Sequence, residues 1–309
     1  MGDATDSVAK QNLSGAKLSL TWPFVALIAG NAALASGPLF VRLADVGPVA
    51  AGFWRLALAL PFLMLLAMRQ GGFAGLRGQR GALWLALAGG MFFAADLAAW
   101  HIGIGMTKMA NATLFGNAAS LIMAAVTLIV ARRLPSGAEA LALLLAFAGA
   151  LLLLRSSGEQ GQARLVGDLL CLLAGVLYAG YMLSMQRARA VLASWPTLAL
   201  STAAGLAPLL LFALALGERI LPGDWGPVVA LAFTSQLVGQ GLLIYALPHF
   251  SALVVGLTLL TQPALAALIG WLVYGERLTA ADMLGAAMLA AALVLVRLPS
   301  RSGASTSPP

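Results

Sequence analysis

The sequence predicts an all-α integral membrane protein of ten transmembrane helices arranged as two inverted five-helix repeats. Composition is the first observation behind this reading. Of 309 residues, 61% are hydrophobic and 9% charged, and the mean hydropathy is +0.93. Soluble domains carry about a quarter charged residues, and no compact soluble fold hides so much apolar surface, so lipid has to be the solvent. Segmentation is the second: charged and Gly/Pro-rich breaks cut the chain into ten apolar stretches, most near the ~20 residues that a bilayer-crossing helix needs. Internal similarity between the halves is the third.

The expected spans are 22–43, 49–68, 82–102, 109–131, 138–154, 166–186, 196–216, 225–246, 251–274 and 280–297. Residues 1–21 read as a polar cytoplasmic segment. Ala33-Leu34-Ala35 resembles a signal-peptidase site, but the apolar run from Trp22 continues to Leu43. That is too long for the apolar core of a signal peptide, so the segment reads as an uncleaved first span. The longest polar connection within the ten spans, RSSGEQGQAR, lies between spans five and six. The expected organisation is a first repeat over 22–154, a linker loop over 155–165, a second repeat over 166–298 and a disordered tail over 299–309.

A shift of 144 residues aligns 84–154 with 228–298 without a gap. Leu121, Leu128, Arg133 and Leu134 then fall on Leu265, Leu272, Arg277 and Leu278, and Leu27–Leu43 pairs with Leu172–Ala188 at a shift of 145. Five spans per half is an odd number, so the two copies have opposite orientations. With the N-terminus inside, eleven Lys and Arg residues fall on the cytoplasmic side and six on the other. That bias places both termini in the cytoplasm. Inverted repeats characterise many secondary transporters, whose substrate site lies at the repeat interface near mid-membrane. Two similar halves of opposite polarity give inward-open and outward-open states of similar energy.

Several classes are disfavoured. The net charge is +7, but the basic residues stand singly or in pairs at span ends, whereas a nucleic-acid binder gathers them on one face. The single cysteine, Cys171, rules out an intrachain disulfide or a CxxC site. The chain has no G-x-x-x-x-G-K-[ST] phosphate loop, no HExxH and no arginine-repeat voltage sensor. No cofactor or metal is expected, and no catalytic constellation surrounds His101 or His249 to support a lipid-modifying enzyme. A passive channel is a further alternative, which the inverted repeat disfavours.

GNAALASGPLFVRLA, a proline-led loop and FWRLALALPFL resemble the EamA module, as does GLTLLTQPALAALIGWLVYGERLTAADMLGAAMLAAALVLV with its GER turn. The resemblance covers about 22–298. It implies a ten-span member of the drug/metabolite transporter superfamily, closest in appearance to YddG-type bacterial amino-acid exporters. The implied function is export of amino acids or related metabolites across the bacterial inner membrane by alternating access. The first half departs from the pattern where Arg132 replaces the acid that stands at Glu276 in the second.

Asp96 is the one carboxylate well inside an expected span, where a charge has to face a cavity or a partner. Its repeat counterpart is Gln240. Trp100 follows Asp96 at i+4 and shares its face, an aromatic wall suited to an amphipathic solute. His101 reads as an interface residue; Arg55 either snorkels outward or meets a substrate carboxylate. Tyr178, Tyr181 and Ser184 form one inward stripe in span six, as Asn31 and Ser36 do in span one. Pro263 removes a backbone hydrogen bond inside span nine, so it is the expected hinge. Thr261 and Gln262 line that break, and Asn117 is the counterpart in span four. Glu276 and Arg277 read as capping residues. The expected substrate-binding set is therefore Asp96, Trp100, Asn117, Tyr178, Tyr181, Gln240, Thr261, Gln262 and Asn31. The partners expected are a small-molecule solute and membrane lipids; Ala281 and Gly285 form a small-xxx-small pair that leaves the oligomeric state open. Reporter fusions at the two termini are expected to report the same, cytoplasmic, side, and opposite locations would sink the five-plus-five scheme.

Overall fold

A computed structural model describes residues 22–74, 78–130, 132, 134–246, 258 and 261–295. The N-terminal segment, the tail, Tyr245 (as a side chain) and most of 247–260 lie outside the described residues. Seven helices in the described part are long and apolar enough to cross a membrane. They are α1 (Trp22–Leu43), α2 (Pro48–Arg69), α3 (Arg80–Met106), α4 (Met109–Val130), α5 (Gly137–Glu159), α6 (Gln162–Arg189) and α7 (Ser194–Ala215). The eighth segment, α8, abuts three pieces, Gly226–Leu231, Ala232–Gly239 and Gln240–Ala246, the middle one a π-helix. Two shorter apolar helices follow, α9 (Thr261–Tyr274) and α10 (Ala280–Leu295). The described residues contain no strand.

Local chemistry sets these boundaries. Ser136 and Glu139 exchange side-chain and backbone hydrogen bonds in a capping box that opens α5. Thr279 and Asp282 do the same for α10: Asp282 N–H donates to Thr279 Oγ1 at 3.1 Å, and Thr279 N–H donates to Asp282 Oδ2 at 2.8 Å. The last helix of each half therefore starts by the same device. The linker expected over 155–165 is instead helical except at Gln160 and Gly161. Arg155 pairs with Glu159 one turn on at 3.0 Å, and Gln160 folds back onto the Ser156 carbonyl and hydroxyl. Polar composition alone had suggested a loop; i,i+4 pairing keeps it helical.

Two spans break in mid-course. α1 is interrupted at Ser36, just before Gly37-Pro38, and α4 at Ala118. Pro263 lies near the beginning of the described part of α9, and most of the residues before it, on which the expected hinge turns, lie outside the described residues. Polarity runs opposite to that of a soluble protein. Trp84 and Phe147 are 70% and 67% exposed on the outside, whereas Asn31, His101 and Asp168 are wholly buried. Lipid selects that arrangement.

The halves interlock. α3 lies against α6 and α7, α2 against α7 and α8, α1 against α8 and α9, α4 against α6 and α9, and α5 against α10. Exchanging α1–α5 with α6–α10 maps these pairs onto one another, whereas the further α5–α6 and α4–α10 contacts outweigh their counterparts among the described residues. The α5–α10 contact is a mutual glycine approach. An added Cβ would meet the opposite carbonyl at 2.9 Å from Gly149 and at 3.0 Å from Gly285. Gly285 of the small-xxx-small pair is therefore used within the chain. Gly285→Val is expected to cost about 1–3 kcal/mol by overpacking, read as a lower melting temperature in detergent. Gly105→Ala, where the added methyl meets nothing, serves as the matched control.

Candidate functional site

At the centre of the bundle, buried polar side chains from α2, α3, α6 and α8 converge. Arg55, 4% exposed, donates from Nε to Gln236 Oε1 at 3.1 Å, so it does not snorkel. Asp96, 8% exposed, sits within electrostatic range of Arg55 and accepts no hydrogen bond among the described residues. The Tyr178 hydroxyl lies near the Gln240 side chain and that of Tyr181 near Ser201, whose own hydroxyl donates to the Leu198 carbonyl at 3.0 Å. Tyr181 also stacks on Phe93 at 4.7 Å and lies 5.5 Å from Tyr178. Around them, His101 Nε2, Thr202 Oγ1, Ser235 Oγ and Gln236 Nε2 are buried and find no partner among the described residues.

Trp100 shares the Asp96 face as expected and closes one side of this region. Its Nε1 donates to the Ala112 carbonyl at 3.1 Å, and its ring lies between Gly37 of α1 and Gly116 of α4. His101 is fully buried, a correction to the interface position expected for it. Its Nδ1 is 3.0 Å from the Pro48 carbonyl, and the ring lies beside Gly52.

The other expected residues form a separate pair of contacts. Asn31 donates to the Leu27 carbonyl and accepts from Gln262 Nε2 at 2.6 Å, joining α1 to α9. Thr261 donates to the Thr258 carbonyl at 2.6 Å. Asn117 lies at the α4 break with Nδ2 unpartnered. Asp96, Trp100, Tyr178, Tyr181 and Gln240 thus gather with Arg55 and Gln236. Asn31, Thr261 and Gln262 satisfy one another or nearby backbone. The polar run Thr234-Ser235-Gln236 inside an expected span was the signal that would have added Ser235 and Gln236 to the set.

One end of the bundle is closed by a polar layer over the connections at 44–47, 107–108, 160–161, 216–225 and 275–279. Glu276 is more than a cap of its own turn. It pairs with Arg42 of α1 at 2.6 Å and accepts the Met109 N–H of α4 at 2.9 Å. Arg42 also donates to the Ile104 and Thr107 carbonyls. A second GER tripeptide, Gly217-Glu218-Arg219, does comparable work: Glu218 accepts the Val49 and Ala50 N–H groups at 3.3 and 2.8 Å. In both turns the glycine is left-handed, with φ of +67° at Gly217 and +64° at Gly275. Each throws its carboxylate onto the N-terminus of a first-half helix, where the helix dipole favours it. Lys108 pairs with Asp282, which also accepts from Ser156. Asp168 accepts from Thr107, Asn111 and Ser157. At the rim, burial pushes the Asp45 carboxyl up, but the Gly223 and Asp224 N–H groups and the Arg219 guanidinium outweigh it and hold the group below its ordinary value.

The model of the EamA-like transporter family matches residues 165–298. The C-terminal half carries an EamA-like transporter domain. The match spans under half of the chain, and it makes that half similar to a family of membrane transporters. No curated protein matches the chain. A solved structure titled only "Crystal structure of protein" is similar at 19% identity and a TM-score of 0.57, covering 89% of this chain and 96% of that one. At that identity the likeness is one of fold, and it runs over nearly the whole length.

The Asn31–Gln262 bond generates a direct test. Asn31→Leu or Gln262→Leu alone leaves a buried partner unsatisfied and is expected to cost about 1–3 kcal/mol. The double Leu variant is expected to recover part of that loss, measured as melting temperatures in one detergent.

Proposed function

We propose that the protein is a secondary transporter of the bacterial inner membrane that exports small organic solutes, amino acids or related metabolites, by alternating access between two inverted repeats. The carrying observation is a buried, incompletely satisfied charge cluster at the centre of the bundle, lying beneath a face closed by carboxylates of the second half. Buried ionisable groups in a membrane protein mark substrate and ion pathways. The interhelix pairs that exchange under a swap of halves support the repeat, and the EamA-like domain supports the transport class.

With both termini cytoplasmic, the closed face is the outer one, and the structure corresponds to the state sealed on that side. Glu218 and Glu276 are then the outer latches, since each reaches from the second half to a helix N-terminus of the first. Opening that face means giving up these contacts for water. Release or uptake of radiolabelled amino acids by proteoliposomes holding the purified chain tests the reading, and no movement of any small solute would overturn it.

The latch assignment has its own measurement. A charge-assisted hydrogen bond is worth about 1.5–3 kcal/mol, so Glu276→Gln is expected to shift the equilibrium toward the outer-open state about tenfold or more. Thr113 is 5% exposed beneath the closed face. In a Cys171→Ala background, Thr113→Cys is expected to react slowly with an impermeant maleimide added outside, and several-fold faster once Glu276→Gln is added. An unchanged rate would exclude Glu276 as a latch.

A further inference from the structure

Arg55 and Asp96 are the two formal charges of the central cluster, and neither is used up by the fold. Arg55 places one of its five N–H donors on Gln236. Asp96 has the charge of Arg55 nearby, yet the two do not come within ion-pair distance, and no donor reaches the carboxylate among the described residues. A purely structural pair would close up, because buried charges are costly unless they are both paired and hydrogen-bonded. Gln236 Nε2 and Ser235 Oγ, buried and unpartnered, extend the same surface, with Ser235 and the Trp100 ring both lying against Gly37. The groups left over are donors on the Arg55–Gln236 side and acceptors on the Asp96 side.

We propose that Arg55 and Asp96 together form a recognition site for zwitterions, Arg55 taking a carboxylate and Asp96 an ammonium group on the same small molecule. The inference rests on the carrier reading and deepens it by assigning the charge requirement of the solute. A zwitterion adds no net charge to the hydrocarbon region and compensates both side chains at once. A lone cation would satisfy Asp96 and leave Arg55 facing a second positive charge; a lone anion would do the reverse. In a low-dielectric site those mismatches are strongly penalised, so the pair selects against monovalent ions as well as for the zwitterion. An α-amino acid carries its two charges on adjoining carbons, the arrangement that can bridge two neighbouring side chains. Trp100 and Tyr178 leave the wall of the site aromatic and indifferent to charge.

The test uses the full-length protein in detergent and in proteoliposomes with three sets of probes. Each set holds an amino acid, its amine and its deaminated acid: alanine, ethylamine and propionate; leucine, isopentylamine and 4-methylpentanoate; phenylalanine, phenethylamine and 3-phenylpropionate. At least one amino acid is expected to raise the melting temperature and drive counterflow, with its amine and acid weaker by about tenfold or more. Asp96→Asn is expected to reverse the order in favour of the acid, and Arg55→Gln in favour of the amine. Should either variant fail to fold, Asp96→Glu and Arg55→Lys keep the charges and are expected to keep the wild-type order. Monovalent probes that bind as well as the amino acid would overturn the inference, as would variants that lower stability without changing the order. Counterflow of other solutes, with all nine probes inert, would overturn the zwitterion site and leave the carrier reading standing. Absence of any counterflow from folded protein would count against both.

Discussion

A formal charge inside a bilayer has to be matched where it stands or carried to an edge, and this constraint organises the molecule. Most charges in the described spans lie at or near helix ends. Arg42, Lys108, Asp282 and Glu276 are tied into one polar layer at the closed face. Only at the centre does the arrangement stop short. There Arg55 and Asp96 are buried within a polar surround that leaves much of their bonding capacity open. Apolar side chains are free to cover the outside because the polar ones have been gathered within.

Much of this was legible in the sequence, for physical reasons that differ by element. The span boundaries follow from apolar length, which lipid reads directly, and helices were expected wherever ~20 apolar residues ran together. Asp96 stood out because a lone carboxylate in an apolar run is rare. What escaped was whatever depended on long-range geometry. His101 and Arg55 lie toward span ends in the sequence, yet both are buried between helices, where the Pro48 carbonyl and Gln236 receive them. The 155–165 segment looked like a loop because its composition is polar, but polar residues at i,i+4 hold a helix as well as they hold a turn. The role of Glu218 and Glu276 depended on which helix ends lie across from each turn, and nothing local to a GER tripeptide states that.

The halves differ in how they finish. In the EamA-like half, left-handed glycines turn the chain and free Glu218 and Glu276 to reach across. The corresponding turn of the first half puts Arg132 itself in the left-handed region, φ +50°, with its side chain exposed. A non-glycine residue in that conformation is mildly strained, and an arginine there cannot accept hydrogen bonds from a helix N-terminus. The carboxylate contacts are thus a property of one face. In a carrier built this way, the two sealed states would be held by different chemistry and with different strength, despite the related architecture of the halves.

The connection between α5 and α6 is two residues long, Gln160 and Gly161. A chain of that length spans at most about 11 Å between the helix ends it joins, so this corner of the molecule is pinned. The halves cannot slide apart there. Relative motion between them must therefore be a swing about a fixed point at the rim, like a lever with its fulcrum at one edge. Displacement then grows with distance from that corner, and the far rim and the opposite end of the bundle are where the largest excursions fall.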